Sequence, residues 1–286
     1  MTQRSDIVRQ VVVISAACFM IVAAMVGTGL FGGTNVRELQ GGALDADATV
    51  LAPGRPAFSI WTVIYVLMVA YAIWQALPGQ RERARQRVAG WWIALTAALN
   101  GAWLLAAQFT TLLATVIAIV VLLVVLGLTL RVLTVHRASS PADIVFMDAT
   151  VGLHLGWVAL ATVANVTAWL TAEVAPPSWG EAADVVGVLV LVVVAGIGVA
   201  VAVGTGGRAA PALAMAWGLV WIGVARATGE PSSMPVAVAA WIAAAIVLIA
   251  PVVVWATGRG SGEFARGPEH GAGVRVELSP RTTLDR

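Results

Sequence analysis

Apolar residues fall into eight long runs, separated by short segments that contain charged residues, glycine or proline. The runs lie near residues 10–31, 58–77, 88–108, 111–134, 144–170, 182–203, 209–227 and 235–256. Each is about 20 residues long, the length that an α-helix needs to cross roughly 30 Å of hydrocarbon. The pattern predicts eight transmembrane helices. Only the short sequence QFTT at 108–111 separates the third run from the fourth, so the count depends on a helix break there.

Composition supports the same fold class. Hydrophobic residues make up 59% of the 286 residues and charged residues 11%, with a mean hydropathy of +0.89. This balance suits lipid as the surrounding solvent better than it suits a soluble core with a hydrated shell. We therefore predict an all-α integral membrane protein. A single cysteine excludes an internal disulfide.

Arginine placement predicts the orientation. The chain has no lysine, and 14 of its 17 arginines fall on one side of the predicted membrane if the amino terminus is inside. The positive-inside rule then places both termini in the cytoplasm, for which a bacterial inner membrane is the expected location. Topology accounts for the basic pI of about 9.3 without a nucleic-acid partner. The sequence RERARQR at 81–87 is either such a topology signal, which we favour, or a site for anionic lipid headgroups.

Two segments outside the apolar runs have compositions that argue against regular structure. The loop at 32–57 is rich in glycine, aspartate and proline, which argues against a long regular element and leaves a lid or a disordered loop. The segment 257–286 has mixed charge and little apolar surface, so we expect a disordered cytoplasmic tail.

Aromatic and amide side chains recur on one face of three predicted helices. The second run carries Trp61 and Tyr65 one turn apart, the third carries Asn100 and Trp103, and the fifth carries Trp157, Ala161 and Asn165 at four-residue steps. An unpaired amide in hydrocarbon costs several kcal/mol, so both asparagines should face the bundle interior. They either join neighbouring helices by hydrogen bonds or line a ligand cavity.

Ionisable residues inside the runs are few. We expect Arg131 and Asp148 to form an ion pair between neighbouring helices, with a proton or ion site as the alternative. His154 is either a neutral, hydrogen-bonded core residue or a haem ligand or proton relay. Motifs for nucleotide binding, serine hydrolysis and zinc proteases do not occur, which argues against those enzyme classes.

Three segments carry a family resemblance: WTVIYVLMVAYAIW in the second run, LNGAW in the third and WVALATVANVTAW in the fifth. They resemble signature segments of the TspO/MBR family, the translocator proteins or tryptophan-rich sensory proteins, over residues 11–170. The resemblance implies a five-helix bundle whose cavity opens toward the loop after the first helix and binds tetrapyrroles, sterol-like molecules or other flat hydrophobic ligands. Its pocket tryptophans correspond to Trp61 and Trp157, and its pocket asparagine to Asn100. Tyr65, Trp103, Ala161 and Asn165 occupy neighbouring matched positions.

The chain departs from the family pattern in two ways. It has Leu153-His154 where the family usually has Pro-Tyr, which bears on ligand preference and places His154 near Trp157. It also continues beyond the matched region. We therefore expect a five-helix TspO/MBR-like domain at 1–170, three additional helices at 171–256 and the tail at 257–286.

The expected function is that of a membrane receptor, sensor or carrier for a tetrapyrrole or sterol-like molecule. One alternative is an enzyme that oxidatively degrades bound porphyrin, with Trp61 and Trp157 as redox-active side chains. Another is a membrane scaffold without a ligand. We expect no obligatory cofactor, metal site or nucleic-acid partner. A porphyrin or haem would bind as a ligand, membrane lipid surrounds the protein, and a homodimer is compatible with the sequence.

Overall fold

A computed structural model describes residues 3–31, 34–35, 38–175, 180 and 182–258. These residues contain eight helices that are long and apolar enough to cross a membrane, and no strand. They are α1 (Arg4–Gly27), α2 (Ile60–Ala76), α3 (Ala84–Phe109), α4 (Leu112–Val135), α5 (Pro141–Val174), α6 (Ala183–Thr205), α7 (Ala209–Thr228) and α8 (Met234–Ala256). The predicted fold class and helix count are confirmed. From residue 259 onward, the expected tail lies outside the described residues.

The helix break predicted at QFTT is present. Helix α3 ends at Phe109, Thr110 is extended, and the side chain of Thr111 accepts a hydrogen bond of 3.3 Å from the backbone N–H of Ala114. A threonine that accepts such a bond satisfies one of the free N–H groups at a helix start. The third and fourth runs are therefore separate helices.

Helix α1 begins earlier than the apolar pattern predicts, at Arg4 instead of residue 10. Its first two turns contain Asp6, Arg9 and Gln10, which are polar yet buried. The carboxylate of Asp6 accepts a bond of 2.7 Å from Arg87, and the Gln10 amide donates to the backbone oxygen of Gln75 at 2.6 Å. Because tertiary partners bind the side chains of Asp6 and Gln10, the helix extends beyond its apolar part.

The buried residues form two main cores that share α5. In the first, α1 to α5 contribute Met20, Tyr71, Ile93, Leu126 and Met147 among others. In the second, α5 to α8 contribute Leu160, Leu191, Leu219 and Val247. The expected division into 1–170 and 171–256 stays a prediction, and the two parts are in contact along α5 and α7.

Glycines allow α5 and α7 to approach each other. A Cβ atom added at Gly156 would overlap the backbone oxygen of Pro211, and one at Gly152 would lie 2.8 Å from the Ala210 side chain. Gly152 and Gly156 are four residues apart, the spacing that lets membrane helices pack backbone to backbone. This close contact sets the position of α7 beside Trp157 of α5.

We call the end of the bundle that contains residues 78–87, 136–143 and 206–208 the arginine-rich end. Three arginines of the RERARQR sequence bind carboxylates of this chain there: Arg83 to Asp143 at 2.8 Å, Arg85 to Asp148 at 2.5 Å and Arg87 to Asp6 at 2.7 Å. These three arginines therefore join α3 to α1 and α5. That this end is cytoplasmic stays a prediction.

The predicted pair between Arg131 and Asp148 is wrong. The Asp148 carboxylate binds Arg85 and also Arg208, whose Nη1 lies 2.6 Å from the same oxygen. Arg131 is exposed and forms no ion pair with the part of the chain that the structure describes. Leu126, Leu130 and Leu133 form the buried face of α4, and Arg131 lies on the opposite face.

The opposite end of the bundle, which we call the loop end, is covered by residues 38–57. Arg226, near the end of α7, is 1% exposed and donates to the backbone oxygens of Ala46 at 2.8 Å and Thr49 at 3.0 Å. Leu51 of the same segment is buried in the second core. This part of the predicted loop is therefore folded against α7, which rules out the disordered alternative for it.

Candidate functional site

Aromatic rings from α2 and α5 meet inside the bundle. The indole of Trp61 stacks on Tyr65, with ring centroids 5.3 Å apart, and meets His154 and Trp157 edge to face at 5.8 Å and 6.1 Å. Phe58, just before α2, also meets Trp157 edge to face at 5.7 Å. We call these five residues the aromatic cluster. Their spacing is that of favourable aromatic pairs.

A hydrogen bond connects the aromatic cluster to α3. The Tyr65 hydroxyl donates to the Asn100 side-chain oxygen at 3.2 Å, and Asn100 is fully buried. Asn100 therefore faces the bundle interior, as the sequence predicts. Of the eight predicted site residues, Trp61, Tyr65, Asn100, His154 and Trp157 form one connected group.

Several polar atoms of this group have no hydrogen-bond partner within the described ranges. They are the Asn100 Nδ2, the Trp157 Nε1 and both ring nitrogens of His154. His154 and Trp157 are 0% and 1% exposed. Buried polar atoms in proteins are nearly always paired, so these atoms have the capacity to pair with a water, an ion or a ligand.

Within the described ranges, no hydrogen bond or aromatic ring contact joins the other three predicted residues to this group. Trp103 and Ala161 are half-buried against the first core, and the Trp103 indole N–H also has no partner among the described residues. Asn165 accepts a hydrogen bond of 3.0 Å from Thr115 on α4. For Asn165 the structure therefore matches the alternative in which an amide joins two helices.

Helix α7 adds residues that the sequence analysis did not include. Ala214 and Trp221 pack with Trp157, Ile60 and Ile64 in a third core. Nearby, the Trp217 indole donates to the backbone oxygen of Ala57 at 2.9 Å. The four-residue spacing of Gly152 and Gly156 is the sequence signal that predicts a helix packed closely beside Trp157.

The aromatic cluster is closed in this structure. Trp61 contacts both His154 and Trp157 directly, and two grooves of the described chain lie elsewhere, between α1 and α2 and between α6 and α8. A flat ligand would have to separate Trp61 from Trp157. The rings would then face the ligand, and Asn100, Trp157 and His154 would supply polar contacts.

Comparison of the sequence with known proteins gave one match. A sequence model of the family described as TSPO-like protein matches residues 9–253. The chain belongs to the TSPO-like protein family. The resemblance to TspO/MBR proteins is thereby confirmed. Neither the curated proteins nor the solved structures gave a match.

The TSPO-like match extends beyond the segments that first indicated the family. The resemblance covers residues 11–170, whereas the match continues through α6 and α7 to Val253 in α8. It therefore includes all eight helices and both sides of the contact between α5 and α7.

Proposed function

We propose that this TSPO-like membrane protein is a receptor or carrier that binds a flat hydrophobic ligand between α2, α3 and α5, and that a tetrapyrrole is the first candidate. The ligand lies against Trp61, Tyr65 and Trp157. Asn100 and His154 supply polar contacts that orient it.

One observation carries this proposal: the aromatic cluster coincides with buried polar atoms that have no partner in the described structure. Each unsatisfied buried group costs about 1–3 kcal/mol, which a correctly placed ligand atom recovers. A tetrapyrrole combines a planar apolar ring with ring nitrogens and carboxylates. It can stack on the indoles and also bind the amide, the imidazole and the indole N–H.

Binding requires α2 to move relative to α5, because the rings are in contact without ligand. Helix α2 has 17 residues and is the shortest of the eight. At its arginine-rich end it is held by Gln75, whose side chain donates to the backbone oxygen of Gln10 at 3.1 Å. Trp61 lies at the other end of α2, so we expect the helix to tilt about its Gln75 end when ligand enters.

The experiment is a tryptophan-fluorescence titration of the detergent-purified protein with porphyrins, haem and sterols, with absorbance followed as well for the porphyrins and haem. We expect saturable binding of one porphyrin per chain, with the absorbance spectrum recovered unchanged when the ligand is extracted. Loss of porphyrin absorbance with time would favour oxidative degradation instead. If no compound binds saturably, the proposal is wrong and the aromatic cluster is packing.

A further inference from the structure

A second feature with the properties of a ligand site lies outside the aromatic cluster, on the lipid-facing side of α1 and α2. It is a groove of about 610 Å³ whose lining is almost entirely apolar. Small residues, including Ala17, Cys18, Ala72 and Ala76, form part of the lining where larger side chains would fill it. Larger apolar residues such as Ile14 and Ile73 are well exposed.

The groove extends toward the arginine-rich end, where Gln10 links its last residues to Arg81. Leu77 and Pro78 line its last part, and the Gln10 amide lies 3.5 Å from the Leu77 backbone oxygen. Gln10 continues the groove face of α1, since it precedes Ile14 by one turn. The Arg81 Nε donates to the Gln10 side-chain oxygen at 3.0 Å, which places the guanidinium beside the end of the groove.

Arg81 differs from the other three arginines of the RERARQR sequence. Arg83, Arg85 and Arg87 each bind a carboxylate of this chain. Arg81 binds no carboxylate within the described residues, and its terminal nitrogens make no hydrogen bond to them. A half-buried guanidinium with free terminal N–H groups is well suited to bind a phosphate.

We infer that the groove between α1 and α2 binds an acyl chain of an anionic phospholipid, whose phosphate is held by Arg81. The apolar lining accepts the chain, and the positive charge at the groove's end lies where the headgroup would be. This site is distinct from the aromatic cluster, and the inference does not depend on the proposed ligand there.

A second copy of the chain fits this surface less well. Most homodimers have two-fold symmetry, so the same surface patch of both copies would meet. Two concave grooves would then face each other and leave the space between them unfilled. The charge of Arg81 would also meet its own equivalent, whereas a phosphate neutralises it.

The test is native mass spectrometry of the full chain in detergent with added phosphatidylglycerol or phosphatidylcholine of identical acyl chains. We expect the unmodified protein to prefer phosphatidylglycerol by about tenfold, because the second lipid carries a cation beside its phosphate. Arg81→Gln should remove this preference, and Arg81→Lys should retain most of it. The matched control is Arg131→Gln, which removes an exposed arginine that has no ion pair in the described chain.

Filling the groove tests the acyl-chain part separately. Cys18 is exposed and lines the groove, so Cys18→Phe should weaken binding of both lipids at least severalfold. Ala102→Phe, on the exposed side of α3, should leave binding unchanged. If Arg81→Gln does not fold, the comparison of Cys18→Phe with Ala102→Phe tests the acyl-chain part, and the lipid preference of Arg81→Lys against the unmodified protein tests the phosphate part.

Three results would overturn the inference. One is equal binding of the two lipids by the unmodified protein. Another is an equal effect of Arg81→Gln and Arg131→Gln on lipid preference. Either of these two results would mean that lipid surrounds the protein without a specific site. The third is a dimer mass that Cys18→Phe abolishes, which would assign the groove to a second copy.

Discussion

Asp148 connects the first five helices to the last three, and its removal should lower the stability of the protein. The side chains of Asp148 and Arg85 are 11% and 6% exposed, and the same carboxylate oxygen also binds Arg208, between α6 and α7. Removing one partner of a buried ion pair costs about 3–5 kcal/mol. Arg85 would keep its bonds to the backbone oxygens of Leu133 and His136, so we expect Asp148→Asn to destabilise the protein by about 2–4 kcal/mol.

Unfolding of the purified protein by titration with denaturing detergent, followed by circular dichroism, measures this loss. A double-mutant cycle of Asp148→Asn with Arg208→Gln should give a coupling energy of about 1–2 kcal/mol, because the two groups are in contact. Arg131→Gln should change stability by less than about 0.5 kcal/mol, as an exposed site without an ion pair. The reasoning is refuted if Asp148→Asn is neutral, or if Arg131→Gln is as destabilising as Asp148→Asn.

Three further predictions concern a glycine contact, the segment held by Arg226 and the topology. Gly156→Ala should destabilise the protein by about 1–3 kcal/mol because the added methyl group overlaps the α7 backbone. Gly196→Ala should be tolerated because no atom lies within 4 Å of the added carbon, and equal melting temperatures of the two variants would contradict this. Arg226→Gln should release residues 38–57 and make them cleavable in limited proteolysis, and a cleavage rate equal to that of the unmodified protein would show that the arginine does not hold them. Reporter fusions should place both termini in the cytoplasm, and an active periplasmic reporter at the carboxyl terminus would reverse the expected topology.

The helices were predictable because a bilayer imposes a strict requirement on apolar length. Apolar length does not predict the start of α1, where Asp6 and Gln10 are helical because of partners more than 60 residues away. The partner of Asp148 was not predictable either. Sequence distance and opposite charge suggested Arg131, whereas the partner depends on which side of α4 faces the bundle, and that side is set by packing.

The candidate site was partly predictable. Helical spacing placed Trp61 with Tyr65 on one face and made Asn100 an interior residue, and the structure joins these residues to Trp157. The contribution of α7 was not predicted, because contacts between helices distant in sequence follow from close approaches such as that at Gly156. Closure of the aromatic cluster was not predictable either, since residue spacing gives facing side chains but not the distance between helices.

The most direct test of the central claim is to compare porphyrin affinity among three tryptophan variants. Trp61→Phe and Trp157→Phe should each weaken binding about three- to tenfold, because loss of one indole contact costs about 0.5–1.5 kcal/mol. Trp241→Phe, which changes a 39% exposed tryptophan on α8, should bind as the unmodified protein does. If both cluster variants also bind porphyrin with unchanged affinity, the ligand does not lie against the aromatic cluster and the account is contradicted.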